Sequence, residues 1–185
     1  MKGLIVPPGQ GKKLLTKAQD VTFKVTGADG GFASTFEVVV PPGFNVGAHV
    51  HDHSTEFFYV LEGELDVFAF EPVERTPEDW RDWKSPDGDQ IVRAGAGSCM
   101  FVPSGTPHAF TNATETSVRM LFQASPPPDH ERYFEEICEI FAEGRTVDSG
   151  AVQRLRDRYD VNQITPLRFE PPTLRGAGAA TDGGA

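Results

Sequence analysis

From Asp20 to about Phe122 the chain is cut every few residues by Gly, Pro, Asn or Asp. Between the cuts lie short β-branched and aromatic runs: DVTFKVTG (20–27), FASTFEVVV (32–40), FFYVLEG (57–63), ELDVFAF (64–70), SCMFVP (98–103), HAFTN (108–112) and SVRMLFQA (117–124). Short runs of this composition with turn residues at each end are the pattern of an antiparallel all-β domain. Where alternation is clear it leaves apolar residues on both parities: Phe68 and Phe70 follow Asp66 on one, and Leu65, Val67 and Ala69 occupy the other. Strands buried on both faces belong to a sandwich or a barrel. The 185 residues, 38% of them hydrophobic and 14 of them Phe, suffice for one core-forming domain at roughly 100–200 residues per domain.

The period changes after the SPPPD stop at 125–129. Tyr133, Phe134, Ile137, Ile140 and Phe141 recur at helical spacing, which predicts an amphipathic helix over 130–143, ended by Gly144. A second short helix is expected from Asp148 or Ser149 as N-cap to Tyr159. The chain therefore divides into an N-terminal arm (1–19), a β domain (20–125) carrying an insertion at 71–90, a helical extension (126–170) and a Gly- and Ala-rich tail (171–185) expected to be disordered.

A net charge of −10 repels phosphate backbones and counts against nucleic-acid binding through a basic surface; no helix-turn-helix segment is evident either. The acid excess is concentrated in two places. Segment 71–90 holds seven acids against three bases, and segment 129–143 holds six against one. Both read as solvated surface. Trp80 and Trp83 in the first allow a second reading, a lid over a pocket, against the plainer one of a cover on the sheet. Cys99 and Cys138 form neither a disulfide framework nor a zinc ribbon. The opening MKGLIVPPG has four apolar residues before its prolines, against roughly 7–15 in a signal peptide. No stretch approaches the roughly 20 apolar residues of a membrane span, so a cytoplasmic protein is expected.

The chemistry is concentrated in residues 41–63 and 97–112. His49 and His51 are two apart and point to one face of an extended strand. Glu56 reaches the same centre if a turn at 52–55 resets the parity, and His108 follows a Pro-rich turn in the second segment. Imidazoles with one carboxylate suit iron, manganese, nickel, copper or zinc with positions left open. His53 shares the parity of His49 and His51 and competes with His51 for the role. His130 is expected at the surface, and Cys99 in the core. Phe58 shares parity with Glu56 and Phe110 with His108, so both are candidates for an apolar substrate pocket, joined by Phe44, Met100 and Phe122.

These residues carry a resemblance. Gly43-x5-His49-x-His51-x4-Glu56-x6-Gly63 and Gly97-x5-Pro103-x-Gly105-x2-His108-x3-Asn112 resemble the two motifs of the cupin superfamily at every fixed position. The likeness covers roughly residues 20–125, and the overall pattern is similar to the quercetin dioxygenase-like single-domain group. It implies a jelly-roll β-barrel with one divalent transition-metal ion held by His49, His51, Glu56 and His108, the spacing favouring His51 over His53. It also implies scaffold roles for the glycines, Pro103 and Asn112, and a homodimer. Such a centre, near +1, favours an anionic chelating oxygen of a small-molecule substrate. The leading expectation is a dioxygenase acting on a small aromatic or enolisable compound, with Glu56 as catalytic base. The alternatives are a non-redox isomerase, cyclase or lyase, and a non-catalytic binding module.

Overall fold

The period-2 pattern is realised in alternating burial along the long strands: Ser34, Phe36, Val38 and Val40 face inward on one, and Val118, Met120, Phe122 and Ala124 on its neighbour. The computed structural model describes residues 3–16, 18–126, 130–141 and 148–169. In chain order the strands are β1 (Lys13–Leu14), β2 (Asp20–Val25), β3 (Ser34–Val40), β4 (Phe44–Asn45), β5 (His49–Val50), β6 (Thr55–Glu62), β7 (Glu64–Ala69), β8 (Val92–Gly95), β9 (Cys99–Val102), β10 (His108–Thr111) and β11 (Val118–Ser125). Helices α1 (His130–Ile140) and α2 (Ser149–Arg158) follow, then β12 (Asn162–Gln163) and β13 (Arg168–Phe169).

The strands form two antiparallel sheets. The first runs β1-β2-β3-β11-β6-β9. In the second, β10 is central, with β7 and then β8 on one side, and β5 and β4 on the other, edged by β12 and β13. The expected barrel is corrected here to a jelly-roll sandwich. Neighbouring edge strands β8 and β9 are only four residues each and pair back into different sheets, so no hydrogen-bonded ladder closes the two into one cylinder among the described strands.

The main core lies between the sheets and is largely aromatic. Phe36 and Phe58 both stack on Phe122, with centroids at 5.7 and 5.0 Å, and Phe23 meets Phe36 edge-on. Helix α1 inserts Phe134 and Ile137 into this core, continued by Phe141, as its spacing predicts. The N-cap of α2 is Asp148, whose carboxylate accepts from the Gly150 N–H at 2.9 Å.

The insertion explains the two-sided strand β7. Leu65 is buried in the main core, while Phe68 points outward and is covered by Trp80 and Trp83. The Trp80 indole N–H donates to Asn45 Oδ1 and that of Trp83 to Thr76 Oγ1, both at 2.9 Å. Both rings are buried on the outer face of the second sheet and neither lines the cavity described below. Of the two readings of segment 71–90, the structure favours the cover over the lid. The extension is not purely helical either, because β12 and β13 return to pair with β5 and β4. Gly144 and the tail from residue 171 lie outside the described residues. No described helix is long and apolar enough to cross a membrane.

Candidate metal centre

His49 on β5 stands directly opposite His108 on β10, so one register pair of the second sheet supplies two imidazoles. His51 follows β5, and Glu56 comes across from β6 in the first sheet with Phe58 on the same inward face. The structure brings these four residues together, all buried, with one potential ligand atom from each within 4.8 Å of the others. His53 is exposed in the intervening turn and stands apart.

Each imidazole is oriented through its far nitrogen. Nδ1 of His49, His51 and His108 lies 2.9, 2.7 and 3.1 Å from the carbonyl oxygens of Gly47, Asp160 and Thr106. A carbonyl only accepts, so each Nδ1 carries the proton and each Nε2 presents a lone pair. Gly47 is needed for its position: its φ is +74°, and a Cβ there would meet the Thr165 carbonyl oxygen at 2.4 Å.

Those lone pairs converge on a carboxylate. His108 Nε2 is 2.9 Å from Glu56 Oε2, and His51 Nε2, which makes no hydrogen bond, is 3.1 Å from Glu56 Oε1. Lone pairs facing carboxylate oxygens at such distances repel unless a positive centre stands between them. A proton on an imidazole or a cation shared by all four meets that demand, and three neutral imidazoles with one carboxylate fit a divalent transition ion. The electrostatics agree. Burial opposes charge on Glu56, yet the charge of a protonated His51 facing it, and then a proton placed between the carboxylate and His108 or His130, hold its carboxyl well below the usual range. Burial likewise opposes charge on His51, and the carboxylate of Glu56 outweighs it and raises the imidazole. His49 is pushed well below the ordinary value by burial, then by the neighbouring imidazoles, so it stays neutral.

His130 is a correction. It is buried, its Nε2 lies 3.4 Å from Glu56 Oε1, and it faces the ring of His51 at 6.0 Å. Helix α1 packs its first turn over the open end of the sandwich, so the residue that opens the helix points inward. Asp160 was not singled out in the sequence at all. Besides its carbonyl bond to His51, its carboxylate accepts from the backbone N–H of Asp52 and His53 at 2.9 and 3.0 Å, and it holds a left-handed φ of 59°. The signal was faint: an Asp at a helix end, tolerant of that backbone. Asp160→Ala is expected to loosen the 52–54 turn and the His51 ring, lowering metal affinity about 10–100-fold. Competition with a chelator measures this, and Asp160→Asn should retain most of the affinity.

A cavity of about 70 Å³, room for a handful of waters, is lined by three of the four ligands, His49, His51 and Glu56. Phe44, Phe58, Phe110 and Phe122 line it, with Tyr133 and Phe134 of α1 closing one side. Met100 does not line it. It packs opposite Phe58 at a separate small void near Val60 and Leu65. Cys99, expected in the core, is exposed, because it pairs with Tyr59 on the outer face of the first sheet and is not among the candidate ligands.

The family profile described as cupin matches residues 14–140, more than half of the chain. The chain is a cupin. Among curated relatives, this cupin is similar to the polyketide synthase CurC of Streptomyces cyaneus, 31% identical over 101 residues covering 54% of this chain and 52% of that protein. It is also similar to the protein SchB of Streptomyces halstedii, 29% identical over 106 residues, 57% of this chain and 62% of that one. The likeness therefore spans half to three fifths of those relatives' length. Among solved structures, the polyketide cyclase RemF from Streptomyces resistomycificus superposes with a TM-score of 0.51 at 21% identity, over 68% of this chain and 80% of its own, a likeness of fold.

Proposed function

We propose that this cupin is a metal-dependent, non-redox enzyme that cyclises or isomerises an enolisable small molecule of polyketide type. The observation that carries the reading is Glu56: one carboxylate in an otherwise Phe-rich cavity wall, within 2.9–3.4 Å of His51, His108 and His130. A divalent ion held by His49, His51, Glu56 and His108 would supply Lewis acidity toward a substrate carbonyl oxygen. Glu56 is placed to take the proton α to that carbonyl, and His130 Nε2 steadies the carboxylate oxygen that faces it. The Phe walls exclude water and hold a flat conjugated system against the proton acceptor. The names of CurC and RemF favour this reading over the dioxygenase expected from the quercetinase-like pattern, since polyketide cyclisation needs carbon acids activated and no oxidant.

The test uses 1-phenylbutane-1,3-dione and zinc-loaded protein. Exchange of the C2 hydrogens for deuterium, followed by proton NMR under anaerobic conditions, is expected to exceed the uncatalysed rate, with no dioxygen consumed in air. Oxygen-dependent turnover of the iron-loaded protein with no anaerobic exchange would establish the dioxygenase instead. Binding without exchange or oxygen uptake would leave a binding module.

A further inference from the structure

Arg156, on the last turn of α2, points into the same cavity and is 2% exposed. Its Nη2 reaches the Val46 carbonyl oxygen at 3.4 Å, a long bond, while Nε and Nη1 meet no acceptor and no carboxylate pairs with it among the described residues. A guanidinium is always charged, and burying one with two idle donors and no counter-ion is a standing cost that core packing does not explain. The rest of the wall offers it nothing: Glu56 is the cavity's one carboxylate among the described residues, and it is committed to the imidazoles.

The charge balance indicates what is missing. A divalent ion, three neutral imidazoles, Glu56 and Arg156 leave the cavity at about +2, in surroundings of low dielectric where that charge attracts a dianion. One negative oxygen belongs at the ligand cluster. The second belongs at Arg156: its Nε–H and Nη1–H are unbonded and lie on different sides of the guanidinium, so a carboxylate pairs bidentately there by taking Nε–H together with the Nη2 proton not given to Val46. The same wall presents an acceptor, since His130 Nδ1 is buried without a partner among the described residues while its Nε2 faces Glu56.

We propose that Arg156 anchors a substrate carboxylate, so that this cupin acts on enolisable or phenolic carboxylic acids, β-keto acids or 2-hydroxyaryl acids. The inference rests on reading the cavity as the substrate site, and its test measures binding, so it stands or falls separately from the cyclase reaction.

Zinc-loaded full-length protein is titrated calorimetrically with 2-hydroxybenzoate and with 2-hydroxybenzamide, which keeps the shape and removes the charge. The acid is expected to bind at least about tenfold more tightly. Arg156→Met should bring the two within about twofold at unchanged zinc content. Because it removes a buried unpaired charge, it should also hold or raise the melting temperature of the ligand-free protein, by about 2–4 °C. Arg156→Gln, neutral but still a donor, should lose the preference too and decides the matter if the Met variant does not fold. The proposal is overturned if the wild type shows no preference, if the preference survives in either variant, or if both variants melt well below the wild type, which would make Arg156 a brace for the Val46 carbonyl.

Discussion

Glu56→Gln is expected to lower turnover by about 10²–10⁴-fold at saturating metal, the usual contribution of a positioned general base. The substitution keeps the size of the side chain and places an amide where His51, His108 and His130 surround the carboxylate. An amide cannot take a proton and brings an N–H₂ donor into a cluster that needs an acceptor. Metal affinity should fall as well, since the carboxylate is the one negative ligand, so the rate is measured with the site filled and zinc content checked. Circular dichroism should report an unchanged fold, because Glu56 contributes to the site and not to the aromatic core. Retention of activity within tenfold would remove Glu56 from the chemistry.

His108→Ala should reduce bound metal from near one ion per chain to near zero at micromolar concentrations. Loss of a residue that only orients a ligand costs about 10–100-fold in affinity, and loss of a ligand costs at least the upper end of that range. His108 is fully buried against Glu56 and His49, so truncation also leaves a void that no neighbouring donor fills. His53→Ala, in the exposed turn, should bind metal as the wild type does. The pH dependence has a definite sign. A protonated imidazole cannot ligate, and His51 is raised above the ordinary value by Glu56 while His49 is depressed by burial. Metal is therefore retained above the His51 pKa and lost as pH falls through it, His51 protonating before His49.

The residues that a strand pattern can place were legible in the sequence. Glu56 shares parity with Phe58, a relation that survives in β6 because the pleat has period 2, and His49 and His51, two apart, still reach one centre although β5 ends at Val50. Four features were not legible. Whether two sheets close into a barrel depends on where four-residue edge strands end, which no periodicity encodes. Cys99 lies in the strand of the second motif, where core packing is the expectation, and only the register with Tyr59 shows that it faces out. His130, Asp160 and Arg156 lie far along the chain from the ligands they approach and arrive by the packing of α1 and α2 across the open end of the sandwich. The helical pattern of Phe134 and Ile137 predicts that α1 packs, but not that its first residue lands beside Glu56. Likewise, two-sided apolar patterning in β7 could not distinguish cover from lid, and the burial of Trp80 and Trp83 against Phe68 favours the cover.

The central claim is that three imidazoles and one carboxylate, brought together from two sheets, hold one metal ion against an aromatic cavity. Anomalous diffraction from crystals of the purified protein, collected on both sides of the absorption edge of the metal found by elemental analysis, tests it most directly. A single strong peak per chain is expected, bounded by the Nε2 atoms of His49, His51 and His108 and a carboxylate oxygen of Glu56. Full occupancy at any other position, or a metal-replete protein with no peak among these four residues, would contradict it.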